Sequence, residues 1–438
     1  MGNLLLDLRI ASRSLFQHRL RTFFLGLAIA GVTALLILLN ALSTGIRETM
    51  IQAATTLSTG HVNVGGFYKA SRTTGAPIVT EYEKVIAAVR KSVPEMEGMV
   101  HRGRGWAKLV SDLGSTQAGV TGLDIRNEPA FRRVIQIASG NLDDLAQPNT
   151  MLVFESQVEK LKVRVGDAVT VSAQTTRGAA NTVDCRIVAI AKDMGLLSKF
   201  GVFVSVATTR SLYQLRPDIT GVVQIYLRPK DLPEAQHIAA RLRGQLAALG
   251  WAVMEADPQP FWLKFQNVAR EEWTGQKLDV TTWDDEVSFL TWTLDVIDWL
   301  TRALLSILLA IVVIGIMNTM WIAIRERTRE IGTLRAIGMQ RTGVLRMFVY
   351  ESLLLGLAGS ASGVLLGSLV GGVVNMAHVH LPITVQLFLM SDTLQLAMHG
   401  GVLLRAALLI TFVTTLAALY PAYRAARLRP VAAMSHFG

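Results

Sequence analysis

The side chains best suited to metal chemistry lie near the carboxyl-terminal end of the sequence. His378 and His380 form a His-x-His pair, and Asp392 and His399 follow in the same segment. Imidazole and carboxylate groups are among the ligands that Zn²⁺ takes in proteins. A His-x-His pair without a third ligand at a defined spacing is weak evidence for zinc, so we expect no metal site.

Patterns that signal catalysis are missing from the sequence. It contains no Gly-x-Ser-x-Gly, no His-Glu-x-x-His and no Gly-rich phosphate loop. His61 and His101 are isolated, which favours a surface or hydrogen-bonded position over a ligand position. Cys185 is the single cysteine, so no intrachain disulfide can form, and its strand-like surroundings predict a small buried residue. We therefore expect no catalytic residues and no enzyme activity in this chain.

The composition indicates membrane helices combined with a polar domain. Of the 438 residues, 51% are hydrophobic and only 17% are charged, whereas soluble proteins carry about 25% charged residues. About 20 apolar residues cross the hydrocarbon core of a bilayer. A buried helix of a soluble core is the alternative for each stretch, most of all for the fourth, which contains Arg405. The predicted spans are residues 23–42, 303–324, 348–374 and 402–420.

The basic residues predict the orientation. Thirteen arginines and only three acids lie in residues 1–22, 325–347 and 421–438, which accounts for the whole net charge of +10. Because Lys and Arg near membrane helices favour the cytoplasmic side, we expect both termini and the middle loop to be cytoplasmic. Residues 43–300 and the loop 375–400 would then lie outside. The orientation of the membrane helices accounts for the positive net charge, so we expect no nucleic-acid partner.

Two weaker predictions concern the edges of the membrane. Residues 4–16 are amphipathic and are expected to lie along the inner surface. In the outer loop, Pro382 and the apolar run Val385–Met390 indicate a short segment at the outer interface.

The polar region 43–300 is predicted to form an α+β domain. Runs rich in Val and Ile predict strands, and runs with helical spacing of apolar residues predict helices. Segments 42–57 and 288–300 continue the helical pattern as two stalks, with ordinary surface helices as the alternative. The predicted strands are His61–Val64, Ala168–Ser172, Arg186–Ala191, Val202–Val206 and Val222–Leu227, and the helices are Glu81–Val93, Glu155–Leu161, Thr208–Leu215 and Leu232–Leu249.

The loop 325–347 alternates charged and apolar residues at helical spacing. Gly338 permits a bend between a short loop helix and the third membrane helix. Such a helix could act as a lever with its apolar face in a soluble partner, or lie as a basic loop near anionic lipid. Glu330 is one of two acids among six arginines in the loop, which favours a specific partner for its carboxylate.

The third membrane helix carries glycines four residues apart, with Gly356 before them. This spacing forms one flat stripe that lets another helix approach closely, so we expect the stripe to face a helix rather than lipid. Packing within the same chain and packing between chains are both open. The stripe consists of Gly359, Gly363, Gly367 and Gly371.

The loop sequence ERTREIGTLRAIG, the glycine-rich third helix and Tyr420–Met434 (YPAYRAARLRPVAAM) resemble the FtsX-like, MacB-type permeases of ABC transporters. The segments LSTGHVNV, ESQVEKLKVRVGDAVTV and GVFVSVATTRSLYQL resemble the extracytoplasmic domain of that family. The layout is most similar to the lipoprotein-releasing (LolC/LolE-like) type. The resemblance implies a type VII ABC transporter-like fold: four transmembrane helices with a large α+β extracytoplasmic domain.

The resemblance also implies a mechanism. A cytoplasmic ABC ATPase dimer would bind the loop, and its ATP-driven closure would move the outer domain through the membrane helices. No cofactor is expected in this chain; ATP and Mg²⁺ would bind the ATPase. The outer domain would divide into a membrane-near part built from discontinuous segments and an inserted distal part. The residues that match the coupling region are Arg329, Glu330, Ile331, Gly332, Arg335 and Gly338.

One departure separates this chain from the macrolide-exporter type, which carries its ATPase in the same polypeptide. This sequence has no Gly-x-x-x-x-Gly-Lys-[Ser/Thr], so we expect the ATPase to be a separate subunit. The further expected partners are a second permease copy or paralogue and a periplasmic carrier or adaptor. The expected location is the bacterial inner membrane.

The expected function is the release or export of lipoprotein or other lipophilic cargo by mechanotransmission. Three alternatives remain: an FtsX-like regulator of a periplasmic cell-wall hydrolase, a drug or peptide efflux permease with an adaptor, and an outward-facing sensor. The absence of an output domain counts against the sensor.

Overall fold

The computed structural model describes Arg13 and residues 19–70, 75–382, 385–386 and 393–427, without the side chains of Arg21, Leu196, Leu197, Phe289 and Leu290. The predicted amphipathic segment 4–16, nearly all of the run 385–390, Asp392 and the tail from residue 428 lie outside the described residues. The chain forms two compact units. The helical unit comprises Met1–Arg47, Leu294–His380 and Thr393–Gly438, and the mixed unit comprises Glu48–Thr293 and Leu381–Asp392.

The helices and strands of the described residues are numbered along the chain. The helices are α1 (Arg19–Leu57), α2 (Tyr82–Ser92), α3 (Pro129–Val134), α4 (Glu155–Leu161), α5 (Gly195–Ser198), α6 (Val206–Tyr213), α7 (Ala235–Ala248), α8 (Phe261–Arg270), α9 (Trp283–Glu286), α10 (Ser288–Glu326), α11 (Thr328–Ala336), α12 (Arg341–Met376) and α13 (Gly400–Ala426). The strands are β1 (Val62–Lys69), β2 (Gly75–Ala76), β3 (Met96–Val110), β4 (Ser115–Leu123), β5 (Ile137–Gly140), β6 (Thr150–Phe154), β7 (Ala168–Gln174), β8 (Ala180–Ala191), β9 (Gly201–Ser205), β10 (Val222–Leu227) and β11 (Gly275–Thr282).

Four helices, α1, α10, α12 and α13, are long and apolar enough to cross a membrane. They contain the four predicted spans, and α1 and α10 also include the predicted helical continuations 42–57 and 288–300. Together with the mixed unit they confirm the predicted fold class of four membrane helices and a large α+β domain.

The glycine stripe of α12 packs against α1 of the same chain. A Cβ atom added at Gly359 would lie 2.8 Å from Ile29 Cγ2, and one at Gly363 would lie 2.5 Å from Thr33 Cβ. At Gly367 the nearest atom would be Ala34 Cα at 3.2 Å. Because no side chain intervenes, the two backbones approach closely, which maximises van der Waals contact between membrane helices. At the end of the stripe, Gly371 faces Met398.

Within the mixed unit, six strands close into a barrel in the order β3–β4–β9–β6–β8–β7 and back to β3. Closure pairs the strands on both sides and removes exposed edges. Alternate residues of each strand point inward and form one apolar core. Its members include Leu109, Val120, Val153, Val171, Cys185, Ile187 and Val204.

Strand β5 pairs with β8 beside the barrel. Strands β11, β1 and β10 form an antiparallel sheet with the first half of β3, in the order β11–β1–β10–β3, and β2 pairs with β1. Helices α2 and α7 cover it, and their apolar residues share a core with β1, β10 and β11. Strand β3 belongs to both parts: Met96–Arg102 pair with β10, and Gly103–Val110 pair with β4. We call residues 103–205 the barrel part and the rest of this assembly the sheet part.

The division confirms that one part of the mixed unit is discontinuous and the other is inserted. The sheet part combines segments from before and after residues 103–205, whereas the barrel part is one continuous stretch. The five predicted strands and four predicted helices are all present, most of them within three residues of their expected bounds. Strand β1 extends five residues past the predicted end, and β8 begins six residues before the predicted start. Strands β2, β3, β4, β5, β6 and β11 are additions that the sequence pattern does not predict.

We expect Gly363→Leu to destabilise the helical unit, because the new side chain must displace Thr33 and the carbonyl oxygen of Ala30, 2.6 Å from the added Cβ. Overpacking of this kind costs about 1–3 kcal/mol. The measurement is the melting temperature and yield of the purified full chain. Gly372→Leu is the matched control, because a Cβ there meets no atom within 4 Å among the described residues. Equal losses in both variants would contradict the proposed packing.

Candidate coupling site

The loop between the second and third membrane helices forms a short helix and a tight turn. Helix α11 follows α10 after Arg327, and α12 begins at Arg341. Between them Gly338 has a φ of +110°, and the amide of Met339 donates to Leu334 O at 3.0 Å. A φ in this range favours glycine over residues with a Cβ. The bend predicted at Gly338 is therefore present.

The expected coupling residues divide into a buried pair and an exposed set. Ile331 is only 1% exposed and packs in one apolar cluster with Ile324, Val344 and Phe348 of the flanking helices. Gly332 is also buried. From the sequence we expect the apolar face of this helix to contact a partner. In the structure Ile331 packs inside the chain instead, because the flanking helices place apolar side chains around it.

The exposed surface of the loop combines charge with apolar area. Arg329 and Glu330 are exposed, as is Gly338. Ile337 is 84% exposed, and Leu334 is 37% exposed. The loop therefore exposes two apolar side chains among charged ones.

Arg335, another expected coupling residue, is tied to the chain's own fourth membrane helix. Its Nη1 donates to the carbonyl oxygen of Ala426, the last residue of α13, at 3.2 Å. A cation at this position also favours the negative end of the helix dipole. Helix α11 is thereby joined to α13 as well as to its neighbours in sequence.

Next to the start of α11, Arg327 and Glu351 form a buried ion pair that was not among the predicted site residues. Arg327 Nη1 donates to Glu351 Oε2 of α12 at 3.4 Å, and both residues are 5% exposed. Glu351 interrupts an otherwise apolar span, and Arg327 is the first residue after α10. A lone acid in a membrane helix signals a functional or pairing position, and that signal could have identified the pair.

At the other end of the helical unit, α1 and α10 are linked by polar contacts. Arg47 Nη1 lies 2.8 Å from Asp298 Oδ2, and Ser43 Oγ donates to Asp298 Oδ1 at 3.3 Å. The ion pair is partly exposed, so its own contribution to stability is small. It fixes which residues of the two helices lie opposite each other.

Within the mixed unit, the end of α1 and the start of α10 lead to neighbouring strands. Strand β1 begins at Val62, five residues after α1 ends, and β11 ends at Thr282, six residues before α10 begins. Val62 and Thr282 are direct partners in the antiparallel ladder. Both connections therefore reach the same end of one strand pair.

The carboxyl end of α1 is held by a buried arginine. Arg102 Nη1 donates to the carbonyl oxygen of Leu57 at 3.3 Å, and its Nε and Nη2 each lie 2.8 Å from the Glu128 carboxylate. The last carbonyls of a helix have no partner within the helix, so a charged donor is favourable there.

His61 lies in the short connection between α1 and β1. Its Nδ1 accepts a hydrogen bond from the amide of Leu227 at 2.8 Å, and its carbonyl oxygen accepts one from Trp283 at 3.1 Å. Burial lowers the pKa of His61 from 6.5 to about 4, because a charged imidazolium is poorly solvated there. The ring is therefore neutral at physiological pH.

The remaining candidate residues, His101, Cys185 and His378, make ordinary packing or hydrogen-bond contacts. His101 packs against the ring of Tyr82 at 4.6 Å, and burial lowers its pKa. Cys185 is fully buried in the barrel part, as predicted, and burial raises the pKa of its thiol to about 12. Of the histidines in the carboxyl-terminal segment, His378 Nδ1 lies 2.9 Å from Met376 O. Among the described residues, no group of three or more His, Cys, Asp or Glu could hold a metal ion.

Two family models match the sequence. The MacB-like periplasmic core domain matches residues 22–245, slightly more than half of the chain. The FtsX-like permease C-terminal model matches residues 302–430, which contain α11, α12 and α13.

Curated relatives match over shorter segments. The macrolide export ATP-binding/permease protein MacB of Nitrobacter winogradskyi is 37% identical over 136 residues, which cover 31% of this chain and 19% of the relative. The pyoverdine export ATP-binding/permease protein PvdT of Pseudomonas fluorescens is 37% identical over 122 residues, or 28% and 16%. The chain thus matches less than a fifth of each relative's length.

A solved structure with some likeness is the periplasmic region of MacB from Actinobacillus actinomycetemcomitans. The sequence identity is 10%, the match covers 51% of this chain and 89% of that one, and the TM-score is 0.29. This likeness is too weak to support a conclusion about function.

We expect the free energy of unfolding to fall as the pH is lowered from 6.5 to about 4. In that range the unfolded state binds a proton at residue 61 and the folded state, with its lowered pKa, does not. The loss is on the order of 3 kcal/mol. The measurement is chemical unfolding of the full chain as a function of pH.

His61→Asn should flatten this pH profile, because the amide oxygen of asparagine can accept from Leu227 but does not titrate. His237→Asn is the control, since His237 is exposed on α7. An unchanged slope for His61→Asn would contradict the assignment.

Proposed function

The chain belongs to the FtsX-like, MacB-type family of ABC transporter permeases, and we propose that it transmits the work of ATP hydrolysis across the membrane to its mixed unit. The ATPase is proposed to be a separate cytoplasmic subunit, as a dimer, that binds ATP and Mg²⁺. The chain itself contributes movement rather than chemistry.

One observation carries the proposal: the two connections from α1 and α10 meet at Val62 and Thr282, paired residues of one strand pair. A change in the position of α1 along α10 would act directly on this pair. Arg102 holds the last carbonyl of α1 at 3.3 Å, so displacement of that helix end would be passed to β3. Strand β3 runs into both the sheet part and the barrel part.

At the opposite end, the exposed part of α11 supports contact with an ATPase. Arg329, Glu330 and Ile337 are exposed, while Ile331 and Arg335 join α11 to α12 and α13. A force applied to the exposed residues would therefore reach several membrane helices. This contact requires α11 and both termini on the cytoplasmic side of the inner membrane, and the mixed unit in the periplasm, which is part of the proposal.

For cargo, we propose a lipophilic molecule that is released from or exported across the membrane. The names of two relatives, macrolide export and pyoverdine export proteins, favour export; lipoprotein release remains the alternative carried by the resemblance in layout. A second permease copy or paralogue and a periplasmic carrier or adaptor complete the proposed assembly. Transport assays with a macrolide and with a lipoprotein, in proteoliposomes that contain the ATPase, would separate the two cargoes.

We expect Gly338→Val and Glu330→Lys each to leave the protein inserted and folded but to uncouple it. Valine at a φ of +110° strains the turn by about 1–3 kcal/mol, and lysine reverses the charge on the exposed face of α11. The stimulated ATPase rate in nanodiscs with the partner ATPase should fall about tenfold, which corresponds to about 1.4 kcal/mol. A pull-down checks whether the ATPase still binds.

Gly315→Ala is the control, because it adds a Cβ to a membrane helix without a contact within 4 Å among the described residues and without a positive φ. Movement can be followed with spin labels at Arg177→Cys, in the turn between β7 and β8, in a complex with two permease copies. The buried Cys185 leaves the background unlabelled. Normal ATP-dependent distance changes in both uncoupled variants would refute α11 as the coupling element.

A further inference from the structure

The mixed unit contains a cavity of about 420 Å³ where the sheet part meets the barrel part. Its size lies in the range of ligand pockets, roughly 300–1,000 Å³. Much of the wall is aromatic. Trp106 and Phe200 are 47% and 52% exposed, so they lie where the cavity reaches the surface. The aromatic lining comprises Trp106, Phe154, Phe200, Phe203, Phe261 and Trp262.

One charged side chain in this wall lacks the partners that its burial demands. The Arg104 side chain is only 10% exposed. Within the described part of the chain, its Nε and Nη2 are buried without a hydrogen-bond partner. Its Nη1 lies 3.8 Å from Glu286 Oε1, which is an ion-pair distance but not a hydrogen bond. Buried donors left without acceptors destabilise the folded state, because they lose their hydrogen bonds to water and gain none in return.

Neighbouring residues fix the side chain of Arg104 in its unpartnered position. The guanidinium stacks on the ring of Phe261 at 3.9 Å, and Gly65 leaves space for Nη2, because a Cβ there would collide with it. Glu286 is fixed by Thr281 Oγ1 at 2.8 Å and by the amide of Phe261 at 3.4 Å. The carboxylate of Glu286 therefore stays beyond hydrogen-bond distance of Arg104.

The two unpartnered nitrogens identify the missing group. Nε and Nη2 form one edge of a guanidinium, a fork that matches the two oxygens of a carboxylate. Two residues earlier on β3, Arg102 uses the same edge: its Nε and Nη2 bind the two carboxylate oxygens of Glu128 at 2.8 Å each. At Arg104 no described residue supplies this carboxylate.

We propose that this cavity binds an apolar molecule that carries a carboxylate, with its apolar body among the aromatic side chains and its carboxylate on the Nε–Nη2 edge of Arg104. Both nitrogens are closed to solvent in the unliganded chain, so the guanidinium must turn toward the cavity when the ligand binds. Burial of the body against aromatic rings supplies most of the affinity, and the arginine fork supplies selectivity for the head group. The proposal deepens the proposed function by naming a class of lipophilic cargo. Binding itself needs no ATPase, so the two can be tested separately.

The test uses the full chain in nanodiscs and a decanoic acid that carries a diazirine near its tail. After irradiation, the attachment sites are mapped by peptide mass spectrometry. Attachment is expected on peptides that contain cavity residues such as Trp106 or Phe200. Unlabelled decanoate should compete, whereas methyl decanoate and decylammonium should not, because neither presents a carboxylate to Arg104.

Arg104→Met and Arg104→Lys should each reduce cavity attachment by at least about tenfold, since methionine removes the charge and lysine keeps the charge but loses the fork. Arg241→Met is the matched control, because Arg241 is an exposed arginine of the same unit that pairs with Glu95 at 2.7 Å. The melting temperature of each variant is measured alongside, because Arg104→Met also leaves the buried Glu286 without its ion-pair partner. A lower melting temperature together with unchanged attachment would show a purely structural arginine.

Unchanged attachment in Arg104→Lys, attachment confined to the membrane helices, or equal competition by methyl decanoate would overturn the proposal. Stronger competition by decyl phosphate than by decanoate would overturn the carboxylate assignment. If attachment occurs as expected while Gly338→Val retains normal ATPase coupling, the ligand site stands and the proposed transmission fails. If no cavity attachment occurs while Gly338→Val loses its ATPase coupling, the proposed transmission stands and the ligand site is refuted.

Discussion

The buried ion pair between Arg102 and Glu128 is the contact on which the mixed unit depends. Arg102 is fully buried in the middle of β3, and its guanidinium reaches Glu128, Tyr226 Oη at 3.4 Å and the last carbonyl of α1. Burial opposes the charge, but Glu128 and the neighbouring Tyr226 leave the pKa of Arg102 raised overall. Removing one partner of such a pair costs about 3–5 kcal/mol, because a charge stays buried alone. The pair therefore joins the barrel part, the sheet part and the end of a membrane helix.

Rigid contacts of this kind are what the proposed transmission of movement requires. In the helical unit, close backbone approach along the glycine stripe fixes α12 against α1, and Arg335 fixes α11 to α13. Packed interiors switch between discrete arrangements rather than deform gradually. A small displacement at α11 would thus be passed on as a change of packing, not absorbed by loose contacts.

The elements that the sequence predicts well are those with local signals. Strand β10 is a run of Val and Ile, and the turn at Gly338 needs a residue that tolerates positive φ. Strand β3 escapes prediction because its sequence, MEGMVHRGRGWAKLV, mixes three glycines with charged residues and lacks regular alternation. It is a strand because β10 and β7 pair with it from distant parts of the chain, in addition to its hairpin partner β4. Tertiary pairing of this kind overrides local preference. The coupling residues were chosen by resemblance, and only the structure separates the buried Ile331 from the exposed Ile337.

Arg102 and Arg104 show most clearly where sequence reasoning ends. They occupy one strand two residues apart, so they point to the same face, and nothing in the sequence separates them. The difference lies in the acids that face them. The carboxylate of Glu128 lies 2.8 Å from the Nε of Arg102. Glu286, which accepts a hydrogen bond from Thr281, stays 3.8 Å from the Nη1 of Arg104. The first arginine is saturated and serves the fold. The second has two buried donors without a partner among the described residues, beside an aromatic cavity at the place where the two parts of the mixed unit meet. A ligand that completes the second fork would add a bond across that junction, so its binding would stiffen the strand that both parts share.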